Sequence, residues 1–173
     1  MNFWLIQALG LLGSLIVFSS VQFNNRKIIL LAQAAACALW LVHYSLLGAA
    51  TAAATNIICF ARSAVFYFND RPWAKSKLWL ALFLVLFAAN SIVTWEGARS
   101  ILPAISMCLT TLALWTTNMK RTRLLYLLNS PFWLAYDLLV RSYSCALIEA
   151  VAFCSYIIAV WRFDIRKTKN IEP

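Results

Sequence analysis

Long apolar segments separated by short polar stretches dominate this chain. Each segment has roughly the 17–25 residues that a tilted helix needs to cross about 30 Å of hydrocarbon. The segments run over residues 3–23, 28–47, 50–68, 77–95, 100–117, 122–140 and 143–162. The pattern therefore predicts an all-α polytopic membrane protein with seven transmembrane helices. The loops between the segments hold only a few residues each, so no soluble domain is expected.

The composition agrees with this prediction and excludes a soluble globular protein. Of 173 residues, 63% are hydrophobic and only 12% are charged, which is too apolar for a soluble domain. The first segment lacks a basic leading region and a small-residue cleavage site, and it has full spanning length. We therefore expect it to be a transmembrane helix and not a cleaved signal peptide.

The basic residues predict the orientation of the chain in the membrane. When sides are assigned by alternation, 12 of the 15 Lys and Arg residues fall on one side. The other side carries only Arg99 and Arg141, and Arg62 lies within the third segment. The positive-inside rule then predicts an N-terminus outside and a C-terminus in the cytoplasm. The net charge of +9 is accordingly interpreted as a topology signal, with the lipid bilayer and no nucleic acid as a partner.

The two halves of the chain are related by a shift of 93 positions. Trp40 precedes Asn56 by sixteen residues, and Trp133 precedes Glu149 by the same number. At this shift the halves share eight identities over sixty positions, and the loops, segments and basic clusters coincide. This register predicts a parallel 3+1+3 repeat within a single membrane domain over residues 1–173. Its parts are a first triple-helix bundle (1–70), a linking helix with flanking loops (71–99), a second triple-helix bundle (100–163) and a basic cytoplasmic tail (164–173).

Four residues of this repeat fall in one layer of the predicted membrane. With a rise of about 1.5 Å per residue, Asn56 lies roughly 9 Å below the outer end of its segment and Trp40 roughly 11 Å below its own. Trp133 and Glu149 repeat these depths in the second half. A carboxyl group inside hydrocarbon is costly and indicates function. The four residues therefore predict a central binding site for a small polar solute.

The chemistry of these side chains indicates how a solute would bind. Indoles stack on apolar faces of a sugar or heterocycle, and Asn56 offers both a donor and an acceptor. Glu149 can accept a hydrogen bond, pair with a cationic solute or carry a proton, so a proton is a candidate co-substrate. A structural pair of Glu149 with Asn129 or His43 is the competing interpretation.

Polar residues nearer the outer surface predict a gate or rim above the central layer. His43 and Tyr44 share a helix face with Trp40, and Tyr136 and Asp137 lie on the corresponding face of the sixth segment. Tyr136 and Asp137 lie only about 5 Å below the outer surface at a helical rise of 1.5 Å per residue. We therefore expect both of them to be solvated rim residues.

Small residues and prolines predict hinges within the helices. Gly10 in the first half corresponds to Pro103 in the second, and Pro131 lies within the sixth segment. Gly10 and Gly13 also predict close packing of the first helix against a neighbour. Arg62, about two turns from the cytoplasmic end, is expected to extend its guanidinium group to that surface.

The sequence carries no enzyme signature. His43 is the only histidine, and the five cysteines fall within the predicted spans without a CxxC motif or a Cys/His cluster. The Gly10-x-x-Gly13 pair is not a phosphate-binding loop. No catalytic residue, metal ligand or cofactor is therefore predicted.

The repeat and its paired Trp and polar residues resemble the SWEET, semiSWEET and PQ-loop (MtN3-like) superfamily. That resemblance implies a sugar-like solute enclosed at the pseudo-symmetric centre by Trp40, Trp133, Asn56 and Glu149. It also implies alternating access, in which the two bundles rock about the central layer. The sequence departs from the superfamily pattern in three respects: Glu149 replaces a second Asn, the Pro-Gln dipeptide is absent, and fewer helices carry a proline.

One run of the first half contains Leu31, Trp40, His43, Leu46-Leu47-Gly48, Asn56 and Arg62. This run resembles the YgjV-type bacterial inner-membrane proteins, and more closely than the chain resembles the SWEET-like superfamily. The YgjV-type resemblance covers most of the chain and implies a multi-pass protein of the bacterial inner membrane.

These observations favour a small-solute transporter or facilitator as the first functional hypothesis. A transporter for a vitamin or nucleoside precursor is the runner-up, because paired indoles suit flat rings. A membrane sensor or receptor, or an assembly protein of the same fold, is the alternative outside transport. The solute, the direction of transport, the coupling ion and the oligomeric state stay open.

Overall fold

A computed structural model describes residues 2–20, 26–68, 70–116 and 118–165. Most of the predicted basic tail, residues 166–173, lies outside these described residues. The described part of the chain forms seven α-helices, each matching one predicted segment, so the all-α prediction is confirmed. The helices are α1 Phe3–Ser20, α2 Arg26–Leu46, α3 Ala50–Tyr67, α4 Lys77–Val93, α5 Ile101–Trp115, α6 Met119–Leu139 and α7 Tyr143–Val160.

Four helical segments are long and apolar enough to cross a membrane. They are Phe3–Ser20, Lys27–Leu46, Ala98–Trp115 and Tyr143–Ile165. The 17-residue α4 is apolar but slightly shorter. The remaining two, α3 and α6, have sufficient length but carry polar and charged side chains, many of which point into the protein.

The surface of the helix bundle is apolar and its interior is rich in polar groups. Val93 is 83% exposed, Leu78 is 77% exposed and Trp4 is 75% exposed. His43 and Arg62, by contrast, are completely buried. Large contiguous apolar surfaces are unfavourable in water and suited to lipid, whereas polar residues in membrane proteins face the bundle interior. The arrangement is that of a multi-pass membrane protein.

The helices pack as two sequential groups with α4 at their side. α2 lies between α1 and α3, and α6 lies between α5 and α7. The two groups meet where α1 packs against α7 and where α3 packs against α5. Phe83 and Phe87 of α4 pack into a buried apolar cluster with Phe66 and Cys59 of α3 and Met107 of α5. α4 therefore covers the junction of α3 and α5 from outside.

The N-terminal end of the bundle is the end at which α1 begins and the turns 47–49, 94–100 and 140–142 lie. There the Ala50 backbone N–H donates to the Glu96 carboxylate at 2.7 Å. The Thr51 hydroxyl donates to the backbone carbonyl of Thr94, also at 2.7 Å. These bonds attach the loop before α5 to the beginning of α3.

The opposite end, called the C-terminal end, carries two ion pairs between successive elements. Lys27 of α2 lies 2.7 Å from Asp70, in the loop after α3. The hydrogen bond and charge of Lys27 hold the pKa of the Asp70 carboxyl below its usual range. Arg123 of α6 forms a two-point contact with Asp164, through Nε at 3.0 Å and Nη2 at 2.5 Å. The contact joins the beginning of α6 to the π-helical turn after α7.

The turns that end α2 and α6 have the same backbone geometry. Gly48 (φ 70°) and Arg141 (φ 60°) occupy the left-handed region, and 93 positions separate them. In each turn the residue that follows donates its N–H to the carbonyl five residues back, at 2.9 Å in the first turn and 2.8 Å in the second. Glycine adopts this conformation without strain, whereas a residue with a side chain costs about 1 kcal/mol there.

The two glycines of α1 lie in close helix contacts. A Cβ atom on Gly10 would lie 2.7 Å from both His43 Cε1 and Ser144 Oγ. A Cβ atom on Gly13 would lie 2.9 Å from Trp40 Nε1. The predicted packing role of both glycines is confirmed, and a hinge role for Gly10 stays a prediction.

The two predicted hinge prolines occupy different positions in their helices. Pro103 is the third residue of α5, where the helical N–H groups have no intrahelical partner and a proline fits without a kink. Pro103 therefore need not kink α5, and its predicted hinge role stays a prediction. Pro131 lies in the interior of α6, which continues on both sides of it.

Candidate functional site

Six helices surround a central cavity of about 360 Å³. Among the described residues, α1, α2, α3, α5, α6 and α7 contribute side chains to its wall, and α4 contributes none. The volume falls at the lower end of the range of about 300–1,000 Å³ that is typical of small-molecule sites. The cavity lies where the two sequential helix groups meet.

The four residues predicted to bind a solute all line this cavity. Trp40 comes from α2, Asn56 from α3, Trp133 from α6 and Glu149 from α7. The structure thus brings together side chains that are up to 109 positions apart in the sequence, because their helices all face the same centre. Solute binding by these residues stays a prediction.

Neighbouring groups hold the indoles of Trp40 and Trp133 in place. The Trp40 indole Nε1–H donates to the backbone carbonyl of Gly10 at 3.3 Å. The Trp133 indole stacks on Tyr44, with ring centroids 6.1 Å apart and an interplanar angle of 25°. It also meets Tyr136 edge to face, at 5.9 Å and 84°. The wall therefore includes aromatic side chains from both helix groups.

His43 joins three elements at the N-terminal end of the cavity. Its Nδ1 contacts the backbone carbonyl of Ile6 at 2.7 Å, and its Nε2 contacts the Ser142 hydroxyl at 2.8 Å. The imidazole is fully buried and ties α2 both to α1 and to the turn before α7. Both ring nitrogens contact these groups, so the alternative in which His43 pairs with Glu149 is not observed.

Tyr44 and Asp137 form a second buried link at the same end. The Tyr44 hydroxyl donates to Asp137 Oδ1 at 2.7 Å, joining α2 to α6. Tyr136 accepts a hydrogen bond from the Ala52 backbone N–H at 3.3 Å. Tyr136 is 0% exposed and Asp137 2%, so the prediction that they are solvated rim residues is wrong. Their depth along the helix is near the surface, but their side chains face the bundle interior.

Gln7 is a residue of this end that sequence reasoning missed. Its amide Nε2 donates to the Arg141 carbonyl at 2.8 Å, and its Oε1 accepts from the Ser144 N–H at 2.9 Å. A lone buried amide in an otherwise apolar helix is the signal that could have identified it. Together with His43 and the Tyr44–Asp137 pair, it closes the N-terminal end of the bundle.

Arg62 was predicted to extend to the cytoplasmic surface, and this predicted direction is wrong. The side chain is fully buried and lines the cavity instead of extending to the membrane surface. Its Nη1 donates to the Thr111 hydroxyl at 2.8 Å, and its guanidinium lies 5.6 Å from the centre of the Phe87 ring. Packing of α3 against α4 and α5 thus holds the guanidinium inside the bundle.

The other proposed partner of Glu149 is also engaged elsewhere. Asn129 Oδ1 accepts a hydrogen bond from the Ser106 hydroxyl, which joins α6 to α5. The cavity wall combines one guanidinium group, from Arg62, with the carboxyl groups of Asp137 and Glu149. A site with these groups beside two indoles can bind a solute that has both apolar and polar parts.

Comparison with known proteins identifies one family. The model of the Imp-YgjV family, described as "Bacterial inner membrane protein", matches residues 4–167. No curated protein and no solved structure matches the chain. The family match and the apolar helices agree on a multi-pass protein of the bacterial inner membrane.

Proposed function

We propose that this chain, which belongs to the Imp-YgjV family of bacterial inner membrane proteins, is a transporter or facilitator of a small polar solute. The solute would occupy the central cavity, which would open to each side of the membrane in turn. The aromatic lining favours compounds with a flat ring or an apolar face, such as sugars, vitamins or nucleoside precursors.

The observation that carries this proposal is the internal symmetry of the cavity wall. Eight pairs of lining residues are separated by 93 positions, so equivalent places in the two halves face one space. The pairs are Ser14/Met107, Val17/Thr110, Gln33/Tyr126, Trp40/Trp133, Tyr44/Asp137, Asn56/Glu149, Cys59/Ala152 and Arg62/Ser155.

The backbone supports the same relation. The turns at Gly48 and Arg141 have matching hydrogen bonds at this shift, and α1 packs on α7 as α5 packs on α3. These features support two parallel triple-helix bundles with α4 as the linking helix. Parallel repeats around a central site are a known transporter architecture. The proposal therefore includes a SWEET-like mechanism, in which the two bundles rock about the central site.

The closed N-terminal end fits one state of an alternating-access cycle. His43 and Gln7 hold α1 and α2 against the turn before α7, and the Tyr44–Asp137 bond joins α2 to α6. The bonds of His43 to Ser142, Gln7 to Arg141 and Tyr44 to Asp137 run between the proposed halves, so they would have to break for the cavity to open at that end. Hydrogen bonds of this kind contribute about 1 kcal/mol each, which a solute can offset by differential binding.

The proposal is tested by flux into proteoliposomes that contain the purified protein. Labelled sugars, nucleosides and vitamins are offered to wild type, Glu149→Gln and Trp40→Ala. Val151→Ala is the matched control, because Val151 lies on α7 near Glu149 and is exposed at the lipid surface. We expect uptake of one solute class by wild type and Val151→Ala, with at least a tenfold loss in both cavity variants.

Two results would contradict parts of this proposal. If Glu149→Gln takes up the solute at the wild-type rate, the carboxyl group has no role in transport. A compound that raises the melting temperature of wild type but not of Trp40→Ala, without any flux, would indicate a sensor and not a transporter.

A further inference from the structure

Arg62 is a buried cation whose hydrogen-bonding capacity is mostly unused. A guanidinium group offers five N–H donors, yet only Nη1 has a partner, the Thr111 hydroxyl. Nε and Nη2 are buried without an acceptor. Within the part of the chain that the structure describes, no carboxylate lies within 4 Å of the group as an ion-pair partner.

This arrangement is costly unless something else binds there. The desolvation of a charged group in a protein interior costs several kcal/mol, and an arginine cannot lower that cost by losing its proton. The stacking of Arg62 on Phe87 and its single hydrogen bond compensate only in part. A free guanidinium edge beside a cavity is complementary to a carboxylate or phosphate, which can accept two parallel hydrogen bonds.

A second unpartnered donor lies at the same wall. Thr110 of α5 lines the cavity, is 5% exposed, and its hydroxyl has no hydrogen-bond partner. It directly precedes Thr111, whose own hydroxyl holds Arg62 and donates to the Met107 carbonyl at 2.6 Å. Both groups lie at the junction of α3 and α5, so this wall holds two unpartnered guanidinium nitrogens and one unpartnered hydroxyl.

The equivalent wall in the other half has different chemistry. The positions 93 away from Arg62 and Thr110 are Ser155 and Val17, at the junction of α7 and α1. Conversely, Glu149 replaces the equivalent of Asn56. Arg62 lies six residues beyond Asn56, or about 9 Å further along the helix at 1.5 Å per residue. The cation and the Glu149 carboxyl therefore belong to different levels of the cavity.

We propose that the α3–α5 wall is an oxyanion subsite, in which Arg62 and Thr110 bind a carboxylate or phosphate group of the solute. This inference rests on the proposed transport function, because it assigns a substrate class to the same cavity. The solute would be an organic anion, held at one end by the guanidinium. Its neutral or cationic polar part would face the level of Asn56 and Glu149.

The subsite is tested on the purified full-length protein with simple anions. The melting temperature is measured in potassium acetate and potassium phosphate, each against potassium chloride at the same ionic strength. Acetate probes a carboxylate subsite and phosphate a phosphate subsite. We expect one or both to stabilise wild type relative to chloride, and the response to identify the group.

Substitutions then test whether the stabilisation by anions depends on residues of the α3–α5 wall. Arg62→Gln should weaken anion binding at least tenfold, and Arg62→Lys should weaken it less, because it keeps the charge but loses the planar fork. Thr110→Val should weaken it about fivefold, the value of one hydrogen bond. Ser155→Ala, at the matched position of the other half, should respond as wild type does.

The Thr110→Val variant also separates binding from a structural role. Since the Thr110 hydroxyl has no partner, its removal should leave the melting temperature in chloride unchanged or higher, while the anion response falls. If Arg62→Gln does not fold, Thr110→Val and Arg62→Lys decide the question. An equal effect of oxyanions and chloride on wild type, or a wild-type response in these variants, would overturn the subsite.

Failure of this inference differs from failure of the transport function. Suppose that the protein transports a neutral solute and that its melting temperature does not respond to acetate or phosphate. This result would refute the subsite and leave the transport function intact. Oxyanion binding that requires Arg62, without flux of any anionic or neutral solute, would retain the subsite and remove transport.

Discussion

The informative residues of this protein are polar groups inside the helix bundle, and they differ in how far their contacts explain them. His43, Tyr44 and Asp137 are buried and hydrogen-bonded across helices at the N-terminal end. Arg62 is buried with two unpartnered nitrogen atoms beside the cavity. Since a buried polar group is stable only with a partner, the first three have a structural explanation that Arg62 lacks.

The Tyr44–Asp137 bond gives a prediction at this scale. Tyr44→Phe should lower the free energy of unfolding by about 1–3 kcal/mol, because it leaves the buried Asp137 carboxyl without this donor. Reversible unfolding in mixed detergent micelles measures the change. Tyr143→Phe is the control, because the Tyr143 side chain is half exposed and should change stability little. Equal effects of the two substitutions would show that the buried bond contributes nothing specific.

At the scale of helices and turns, the proposed repeat has its clearest support in backbone geometry, which does not depend on side chains. The α2–α3 and α6–α7 turns share their left-handed residue and their hydrogen bonds, although one has glycine and the other arginine. Sequence identity between the halves is low, but the same turn forms because the helices on each side must reverse direction over three residues. The turn therefore carries information about the repeat that residue identities do not.

The shared turn predicts opposite effects at its two equivalent positions. Gly48→Ala should destabilise the protein by about 1 kcal/mol, because a side chain is strained at this φ although the space around it is open. Arg141→Gly should instead stabilise it by up to about 1 kcal/mol through relief of the same strain. The melting temperatures of the two variants and of wild type provide the measurement. A loss of stability in Arg141→Gly would show that its side chain contributes more than the strain costs.

For the molecule as a unit, the predicted topology depends on charge, and the cavity depends on helix packing. The basic residues of the described loops and helix ends lie mainly at the C-terminal end, with Lys27 and Arg123 in ion pairs there. The N-terminal end carries only Arg99 and Arg141 among the described loop residues. The predicted orientation, with the C-terminal end in the cytoplasm, applies the positive-inside rule to this distribution.

Reporter fusions test that orientation. Alkaline phosphatase fused after Pro173 should be inactive, and fused after Gly97 it should be active, because the enzyme folds only outside the cytoplasm. Green fluorescent protein at the same two positions should give the reverse result. Activity of the Pro173 phosphatase fusion together with inactivity of the Gly97 fusion would reverse the proposed topology.

The sequence was sufficient to predict the helices and the membrane class, and it predicts one membrane level for the main polar residues. Hydrophobic length is a local property, and rise per residue converts position into depth, so Trp40, Asn56, Trp133 and Glu149 could be assigned to one layer. The YgjV-type resemblance was likewise readable and is confirmed by the family match. The SWEET-like placement stays a prediction.

The direction in which the polar side chains face depends on tertiary packing and could not be predicted from position along the helix. From depth along the helix, Tyr136 and Asp137 were predicted to be solvated rim residues, and Arg62 was predicted to reach the membrane surface. All three side chains are buried. The direction of a side chain around a helix depends on its neighbours, and hydropathy cannot separate a face towards lipid from a face towards another helix. The cavity arises from the packing of six helices, and the packing of α3 against α4 and α5 holds the partly unpartnered Arg62 guanidinium beside it.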